Sequence, residues 1–259
     1  MLELQNVCAG YGKKDVLHGI DLKIPDGSIF TIIGRNGCGK TTLLRTMLGF
    51  LPMTGGKISL DGLSIGKASP QEVAKHAAYL PQMHTGAEIT VRRLVLHGRF
   101  PYLHYPRRYR KEDYEAAEAA IGKMNLQEYA GCFLGELSGG LQQKAYIAMA
   151  LAQEASVLVM DEPTTFLDMG QQLQLADLLK SLAEGGKTVV LVLHDLLTAF
   201  SISDQIAALQ DGKILACGTP EELLEADIPG KVCGVSMGKV QTPEGIHYYY
   251  RRNASSSPE

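Results

Sequence analysis

A glycine-rich segment between an apolar run and a helical run constrains the fold more than any other feature. The nine residues of this segment are Gly34, Arg35, Asn36, Gly37, Cys38, Gly39, Lys40, Thr41 and Thr42. They fit the pattern G-x-x-x-x-G-K-[ST], with a predicted strand before them (28–33) and a predicted helix beginning within them (41–48). Such a loop turns backbone N–H groups toward phosphate oxygens, with a lysine that reaches the β and γ phosphates and a hydroxyl for Mg²⁺. A plain glycine turn is the alternative, but the strand–loop–helix context favours a nucleotide-binding P-loop.

Apolar and helical patterns along the rest of the chain predict an α/β fold. Short β-branched runs at 28–33, 157–160 and 188–193 are typical of buried strands in a mostly parallel sheet. Helical periodicity at 112–124, 141–153 and 173–182 separates them. Apolar strand patterns at 2–7, 16–24 and 58–60 predict a small antiparallel sheet in the N-terminal part, and we expect an inserted helical subdomain at about 90–155.

A second candidate site feature is a pair of carboxylates at the end of a predicted strand. The run Val157 to Met160 is followed by Asp161 and Glu162, and ligands bind at the carboxyl ends of strands in open α/β sheets. Asp161 would hold Mg²⁺, and Glu162 would polarise the water that attacks the γ-phosphate. Taken alone, the pair is better explained by a solvated acidic turn before Pro163; the P-loop upstream reverses that preference.

The third motif is Leu137-Ser138-Gly139-Gly140, directly before the predicted helix 141–153. In isolation it is a turn and helix cap. With the P-loop and the carboxylates, it resembles the signature of ATP-binding-cassette (ABC) ATPases. The resemblance implies a P-loop NTPase core with an N-terminal antiparallel β subdomain and an inserted α-helical subdomain. It also implies a homodimer in which Ser138, Gly139 and Gly140 of one copy face the ATP held by the P-loop of the other.

Four further residues resemble landmarks of this family, in the family's order along the chain. Tyr11 resembles the aromatic that stacks on adenine, Gln82 the glutamine that senses Mg²⁺ and the γ-phosphate, Asp168 the residue that couples the two sites, and His194 the switch histidine. Singly, Tyr11 could be a surface aromatic, Gln82 a loop amide and His194 a strand-end histidine. The resemblance implies ATP and Mg²⁺ as cofactors, with catalysis by Glu162, His194, Lys40 and Gln82, and metal binding by Thr41, Gln82 and Asp161.

The chain also departs from the family pattern. Leu141 stands where the family usually has glutamine, and Lys144 where arginine is common. Loss of the amide predicts altered nucleotide affinity or dimer closure, whereas the three signature residues before it are intact. Cys38 offers a thiol that alkylation could use to block the P-loop.

The segments 90–109, 162–168 and 193–224 resemble the ATPase subunits of importers for iron-siderophore complexes, haem and cobalamin. This implies ATP hydrolysis that powers uptake through separate integral-membrane permease subunits, with a substrate-binding protein acting indirectly. An exposed basic cluster is expected to meet acids of the membrane subunit or lipid headgroups, or to be simply solvated: Arg99, Arg107, Arg108, Arg110 and Lys111. The alternatives are an ABC ATPase for another import or export substrate, a soluble non-transport ABC ATPase, or a module that binds ATP without hydrolysing it.

Composition bounds these predictions. Lys+Arg 25 against Asp+Glu 28 gives no polybasic footprint, so we expect no nucleic-acid partner. No apolar run approaches the roughly 20 residues of a membrane span, and no signal peptide is apparent, so we expect a cytoplasmic location. The resemblance to importer ATPases implies a peripheral place on the cytoplasmic face of the cell membrane. Five cysteines without a C-x-x-C pair favour reduced thiols. We expect a single nucleotide-binding domain at 1–250 and a disordered tail at 251–259.

Overall fold

The computed structural model of this chain describes residues 1–12, 14–82, 88–165, 167–243 and 245–251. The strands of these residues are β1 (Leu2–Tyr11), β2 (Lys14–Ile24), β3 (Ile29–Ile33), β4 (Met53–Leu60), β5 (Leu63–Ser64), β6 (Ala77–Leu80), β7 (Val157–Asp161), β8 (Thr188–Val192), β9 (Gln205–Gln210), β10 (Lys213–Gly218), β11 (Ser236–Thr242) and β12 (Gly245–Arg251). Their α-helices are α1 (Lys40–Met47), α2 (Pro70–His76), α3 (Val91–His97), α4 (Lys111–Lys123), α5 (Gly139–Ala152), α6 (Met169–Glu184), α7 (Leu196–Ile202), α8 (Pro220–Glu225) and α9 (Ile228–Cys233). The predicted α/β class is confirmed.

The central sheet has six strands in the order β10-β9-β3-β8-β7-β6. All of its neighbours pair in parallel except β10, which runs antiparallel to β9 at the edge. Every residue of β3, β7 and β8 is buried, because helices cover one face of the sheet and α1 together with the N-terminal strands covers the other. The sequence therefore identified the buried centre of the sheet, while β6, β9 and β10 were not predicted.

An antiparallel sheet of the order β2-β1-β4-β5 covers one side of this core, as the N-terminal strand patterns predicted. Leu4, Ile20 and Ile58 of this sheet are buried against Phe30 and Leu43 of the core. Burial at alternating positions of β1 and β2 explains why these strands were recognisable from sequence.

The segment from α3 to α5 is helical, with short 3₁₀ turns between the helices. In the expected range of the helical subdomain, the described residues form no strand, only one isolated bridge between Thr90 and Phe133. Its helices share an apolar core that includes Val95, Ile121 and Ala145.

Arg99 was expected to be exposed, and this was wrong: only 7% of the residue is accessible. Its Nε donates to Asp113 Oδ1 at 3.1 Å, and its Nη1 donates to Glu154 Oε2 at 2.6 Å and to the Ala152 carbonyl at 2.9 Å. A guanidinium tolerates burial when its donors are satisfied in this way. Arg99 therefore joins α3, α4 and α5 instead of facing a partner, whereas Arg107 and Arg108 are exposed.

The sequence patterns did not predict the secondary structure of the C-terminal part. The short helices α8 and α9 lead into an antiparallel hairpin of β11 and β12, in which Ser236 pairs with Arg251 and Thr242 with Gly245. Arg251 ends β12 and so is not part of a disordered tail; residues 252–259 lie outside the described residues. No described helix has the length and apolar character needed to cross a membrane. The extent of the nucleotide-binding domain stays a prediction.

Candidate active site

The P-loop connects the carboxyl end of β3 to the first turn of α1. Gly34 is buried at its start, where a Cβ atom would collide with the carbonyl oxygen of Leu209. Gly39 caps α1 with φ 110°, a conformation that glycine adopts without strain. A Cβ atom there would also meet Leu17 and Val16 at 3.1 and 3.3 Å. These glycines let the loop pass close to neighbouring strands and bring its N–H groups to the end of α1.

Lys40, the first residue of α1, is 93% buried, with 7% accessible. Its Nζ donates to the carbonyl oxygens of Gly34 at 2.8 Å and Arg35 at 3.1 Å. The ammonium group therefore lies along the inside of the loop. Three rotatable donors on one nitrogen allow it to contact phosphate oxygens there.

Thr41 and Asp161 meet at the carboxyl end of β7. The Thr41 hydroxyl donates to Asp161 Oδ2 at 2.8 Å. Asp161 is 1% accessible, and its other oxygen, Oδ1, is buried with no hydrogen-bond partner among the described residues. Burial raises the pKa of Asp161; the Thr41 hydrogen bond opposes that shift and the Glu162 charge adds to it. A buried carboxylate oxygen without a donor beside a hydroxyl is a fit for a hard divalent cation.

Glu162 follows directly, with φ 53° and its N–H donating to the Val192 carbonyl of β8 at 3.0 Å. Its carboxylate is only 12% accessible and is contacted from two sides. Gln82 Nε2 donates to Oε2 at 2.5 Å, and His194 Nε2 contacts Oε1. Gln82 follows β6, Glu162 follows β7 and His194 follows β8, so three adjacent parallel strands deliver these side chains to one edge of the sheet.

A cavity of about 510 Å³ opens over this edge. It is lined by Val16, Asn36, Gly37, Gly39, Lys40, Thr41, Thr42, Gln82, Glu162 and His194. All of these except Val16 were predicted site residues. Val16 gave no signal because an apolar residue in a predicted strand is indistinguishable from one that packs in the core.

Other predicted residues lie away from this cavity. Arg35 and Cys38 line a smaller one of about 240 Å³ with Val232 of α9. Burial raises the pKa of the Cys38 thiol, so the reactivity expected of this cysteine is reduced. Tyr11 is half exposed at the end of β1, and its hydrogen bond to Arg45 is the main cause that raises the pKa of that guanidinium.

The predicted signature caps α5. Ser138 Oγ accepts the Leu141 N–H at 3.4 Å, and Ser138 and Gly139 are exposed. Gly140 is buried where a Cβ atom would collide with the side-chain amide of Gln171. Asp168 caps α6 by accepting the Gln171 N–H at 2.9 Å. Neither these three signature residues nor Asp168 line the cavity of the P-loop, so one chain alone does not bring the predicted ATP-binding residues together.

Comparison with known proteins gives four relevant similarities. Residues 17–165 match the sequence model of a family described as ABC transporter. The ferric enterobactin transport ATP-binding protein FepC of Escherichia coli is 40% identical over 241 residues, which span 92% of this chain and 89% of that protein. A solved ABC transporter of metal-chelate type, in an inward-facing conformation, is similar with TM-score 0.83 and 26% identity over 97% of both chains. A bacterial ABC transporter cassette solved as a dimer has TM-score 0.75 and 28% identity, over 85% of this chain and 99% of that one.

Proposed function

Because the chain belongs to the ABC transporter family, whose ATP-binding subunits hydrolyse ATP to power transport, we propose that it drives an importer of metal chelates. The solute class is an iron-siderophore, haem or cobalamin complex. The observation that carries this proposal is the 40% identity to a ferric enterobactin transport subunit across 92% of the chain. The fold similarity to a metal-chelate type transporter over 97% of the chain supports it.

ATP binding rests on the P-loop. Residues of the P-loop and of the first turn of α1 line the cavity, and backbone N–H groups at the N-terminal end of a helix attract phosphate groups. Lys40 exchanges its contacts with the Gly34 and Arg35 carbonyls for phosphate oxygens, and so offsets their charge. Tyr11 is assigned to the adenine ring, and Arg35, Asn36, Cys38 and Thr42 to the phosphate loop.

Thr41 and Asp161 are assigned to Mg²⁺, with Gln82 beside them. The support comes from the two oxygens of the Asp161 carboxylate. Oδ1 is buried with no hydrogen-bond partner among the described residues, and Oδ2 accepts a hydrogen bond from the Thr41 hydroxyl. When bound, Mg²⁺ supplies charge neutralisation to the phosphate oxygens. Burial raises the pKa of Asp161, so protons compete with the cation for this carboxylate and cation binding should strengthen as pH rises through that pKa.

Hydrolysis is assigned to Glu162, Gln82 and His194. Glu162 accepts a hydrogen bond from a water molecule and polarises it; the water oxygen attacks the γ-phosphorus, and the bond from that phosphorus to the β–γ bridging oxygen breaks. Gln82 and His194 hold the two carboxylate oxygens of Glu162 from opposite sides. His194, 46% accessible at the rim, can also contact the γ-phosphate. Lys40 stabilises the charge that develops in the transition state.

A second copy of the chain completes each site. Ser138 and Gly139 are exposed at the N-terminus of α5 and do not line the P-loop cavity of their own chain. We therefore assign Ser138, Gly139, Gly140 and Asp168 to the site of the partner. The dimeric cassette with TM-score 0.75 supports this arrangement. A hydroxyl, glycine N–H groups and a helix N-terminus form a second phosphate cradle across the interface. Leu141 would weaken closure by lacking the usual amide.

The dimer would act at the cytoplasmic face of the membrane, beneath two integral-membrane permease subunits and, indirectly, a substrate-binding protein. ATP binds the closed dimer more tightly than the open one, and this difference in affinity changes the shape of the permease. Hydrolysis reopens the dimer. An ABC ATPase for another import or export substrate is the second candidate, because the solute is selected by the other subunits.

The test is co-purification with candidate permease subunits, followed by ATPase assay in lipid with and without a chelate-loaded binding protein. We expect stable association and turnover that the loaded binding protein stimulates. Glu162→Gln should lower turnover by at least about a hundredfold while ATP still binds, since it removes the polarising charge. Turnover by the isolated chain without any permease would instead favour a soluble ABC ATPase, and unchanged turnover in Glu162→Gln would refute the assignment of that carboxylate.

A further inference from the structure

The C-terminal hairpin, β11 and β12, has no part in the mechanism above, yet it packs against the helix that follows the switch histidine. β8 ends at Val192 and α7 begins at Leu196, so only residues 193–195 connect them. His194 lies in the middle of this connection. Because it is so short, the position of the first turn of α7 determines where the His194 imidazole can be placed.

Tyr250 of β12 reaches that first turn. Its hydroxyl donates to Asp195 Oδ1 at 3.3 Å. Asp195 is the N-cap of α7, where its carboxylate also accepts the N–H groups of Leu197 at 3.2 Å and Thr198 at 3.0 Å. Burial raises the pKa of Tyr250 and the Asp195 charge adds to the shift, so the phenol stays protonated and remains a donor.

A second tyrosine of the same strand fixes the middle of α7. Tyr248 packs its ring edge-on against Phe200, with centroids 5.4 Å apart, and Phe200 is 2% accessible. The Tyr248 hydroxyl donates to Glu221 Oε1 of α8 at 3.1 Å. The alternate residues Tyr248 and Tyr250 point to the same face of β12. The hairpin therefore holds α7 at its N-terminus and at its centre.

We propose that Tyr250 is a positioning residue for ATP hydrolysis, acting through Asp195 on the switch histidine His194. This inference rests on the proposed function, since it concerns the rate at which the Glu162 site works. By donating to the capping carboxylate, the Tyr250 hydroxyl fixes the orientation of the Asp195 side chain and of the peptide before it. That peptide carries His194 to its contact with Glu162. Loss of the hydroxyl lets this peptide sample other orientations, and fewer molecules hold His194 in its catalytic place.

The experiment compares the full chain and two matched variants, each assembled with its permease. Tyr250→Phe removes only the hydroxyl that reaches Asp195. Tyr249→Phe is the control, because Tyr249 is the adjacent residue, is similarly exposed, and its hydroxyl accepts from Arg251 instead of facing Asp195. The measurements are kcat and KM for ATP, together with the imidazole ¹H–¹⁵N spectrum of the chain, in which His194→Ala identifies the His194 signal.

We expect Tyr250→Phe to lower kcat about threefold to tenfold, the effect of one exposed hydrogen bond of ordinary net strength, with KM for ATP changed less than about twofold. The His194 signal should shift in Tyr250→Phe and stay in place in Tyr249→Phe, which should keep the wild-type kcat. A kcat in Tyr250→Phe equal to the wild type, an effect on KM alone, or an unshifted His194 signal would overturn the inference while leaving Glu162-dependent turnover intact. Absence of Glu162-dependent turnover in the wild type would overturn the proposed function and this inference together.

Discussion

The Thr41 hydroxyl donates to the Asp161 carboxylate and opposes the rise that burial causes in its pKa, so removing the hydroxyl tests the electrostatics of the candidate metal site. Thr41→Val replaces the hydroxyl by a methyl group of similar size, so the change opens no cavity. It removes the hydrogen bond of 2.8 Å to Asp161 Oδ2. Asp161 is 1% accessible, and its Oδ1 already has no partner among the described residues. In the variant, Oδ2 also loses the Thr41 donor, so the buried carboxylate is left less satisfied.

The expected cost is about 2–3 kcal/mol at pH 8, at the upper end of what an unsatisfied buried acceptor costs, because the acceptor is charged. The cost depends on pH with a definite sign. Burial raises the pKa of Asp161 above its ordinary value of 3.8, and the Thr41 hydrogen bond lowers it. Removing that bond raises the folded-state pKa further, so the variant loses stability relative to wild type as pH rises through that range. The difference should be smaller at pH 5 than at pH 8, since a protonated carboxyl bears less desolvation cost.

The assay is urea denaturation followed by far-UV circular dichroism and tyrosine fluorescence at pH 5 and pH 8; the chain has 11 tyrosines and no tryptophan. Thr46→Val is the control, because Thr46 is fully buried in the same helix and its hydroxyl donates to the neutral Thr42 carbonyl at 2.8 Å. That variant should lose about 1 kcal/mol at both pH values. A cost for Thr41→Val that is below about 0.5 kcal/mol, or equal at the two pH values, would refute the placement of an ionised Asp161 against this hydroxyl.

Two further predictions concern other buried groups. Arg99→Met should lower the free energy of unfolding by about 3–5 kcal/mol in urea denaturation, because it leaves the buried Asp113 carboxylate without its ion-pair partner. The double variant with Asp113→Leu should recover most of that loss. A double variant no more stable than the single one would contradict this reasoning. Burial and the Glu221 carboxylate raise the pKa of Tyr248 from 10.0 to about 12, so the folded protein binds this proton more tightly than the unfolded chain and stability should fall between pH 10 and about 12. Tyr248→Phe should flatten that fall when unfolding is measured at pH 9 and pH 11, and an unchanged slope would contradict the assignment to Tyr248.

Local sequence was sufficient where the structure depends on local chemistry. The P-loop was predicted because its glycines, lysine and threonine act within one turn between β3 and α1. The strands β3, β7 and β8 were predicted because full burial gives continuous apolar runs. The cap at Ser138 was recognisable because a capping side chain bonds to an N–H group only three residues away.

Sequence patterns were insufficient where a residue depends on partners far along the chain. The local sequence around Arg99 gives no sign of burial. Its burial depends on Asp113 and Glu154, which the fold places around its guanidinium. The strand β6 is only four residues long and carries no turn signal, yet it sets the position of Gln82. The hairpin of β11 and β12 contains many polar residues, and its contact with α7 does not appear in its own periodicity.

Sequence motifs identify the groups that this protein has for nucleotide chemistry: a P-loop, two carboxylates at a strand end, a glutamine and a histidine. The meeting of Gln82, Glu162 and His194 follows from the fold. They follow β6, β7 and β8, which are adjacent in the sheet although far apart in the chain. Strand order depends on how helices pack across the sheet and on the crossovers between strands, and neither is encoded in a local pattern. The fold likewise places Ser138 and Asp168, which cap α5 and α6, outside the lining of the cavity of their own chain, and no local pattern predicts which residues line a cavity.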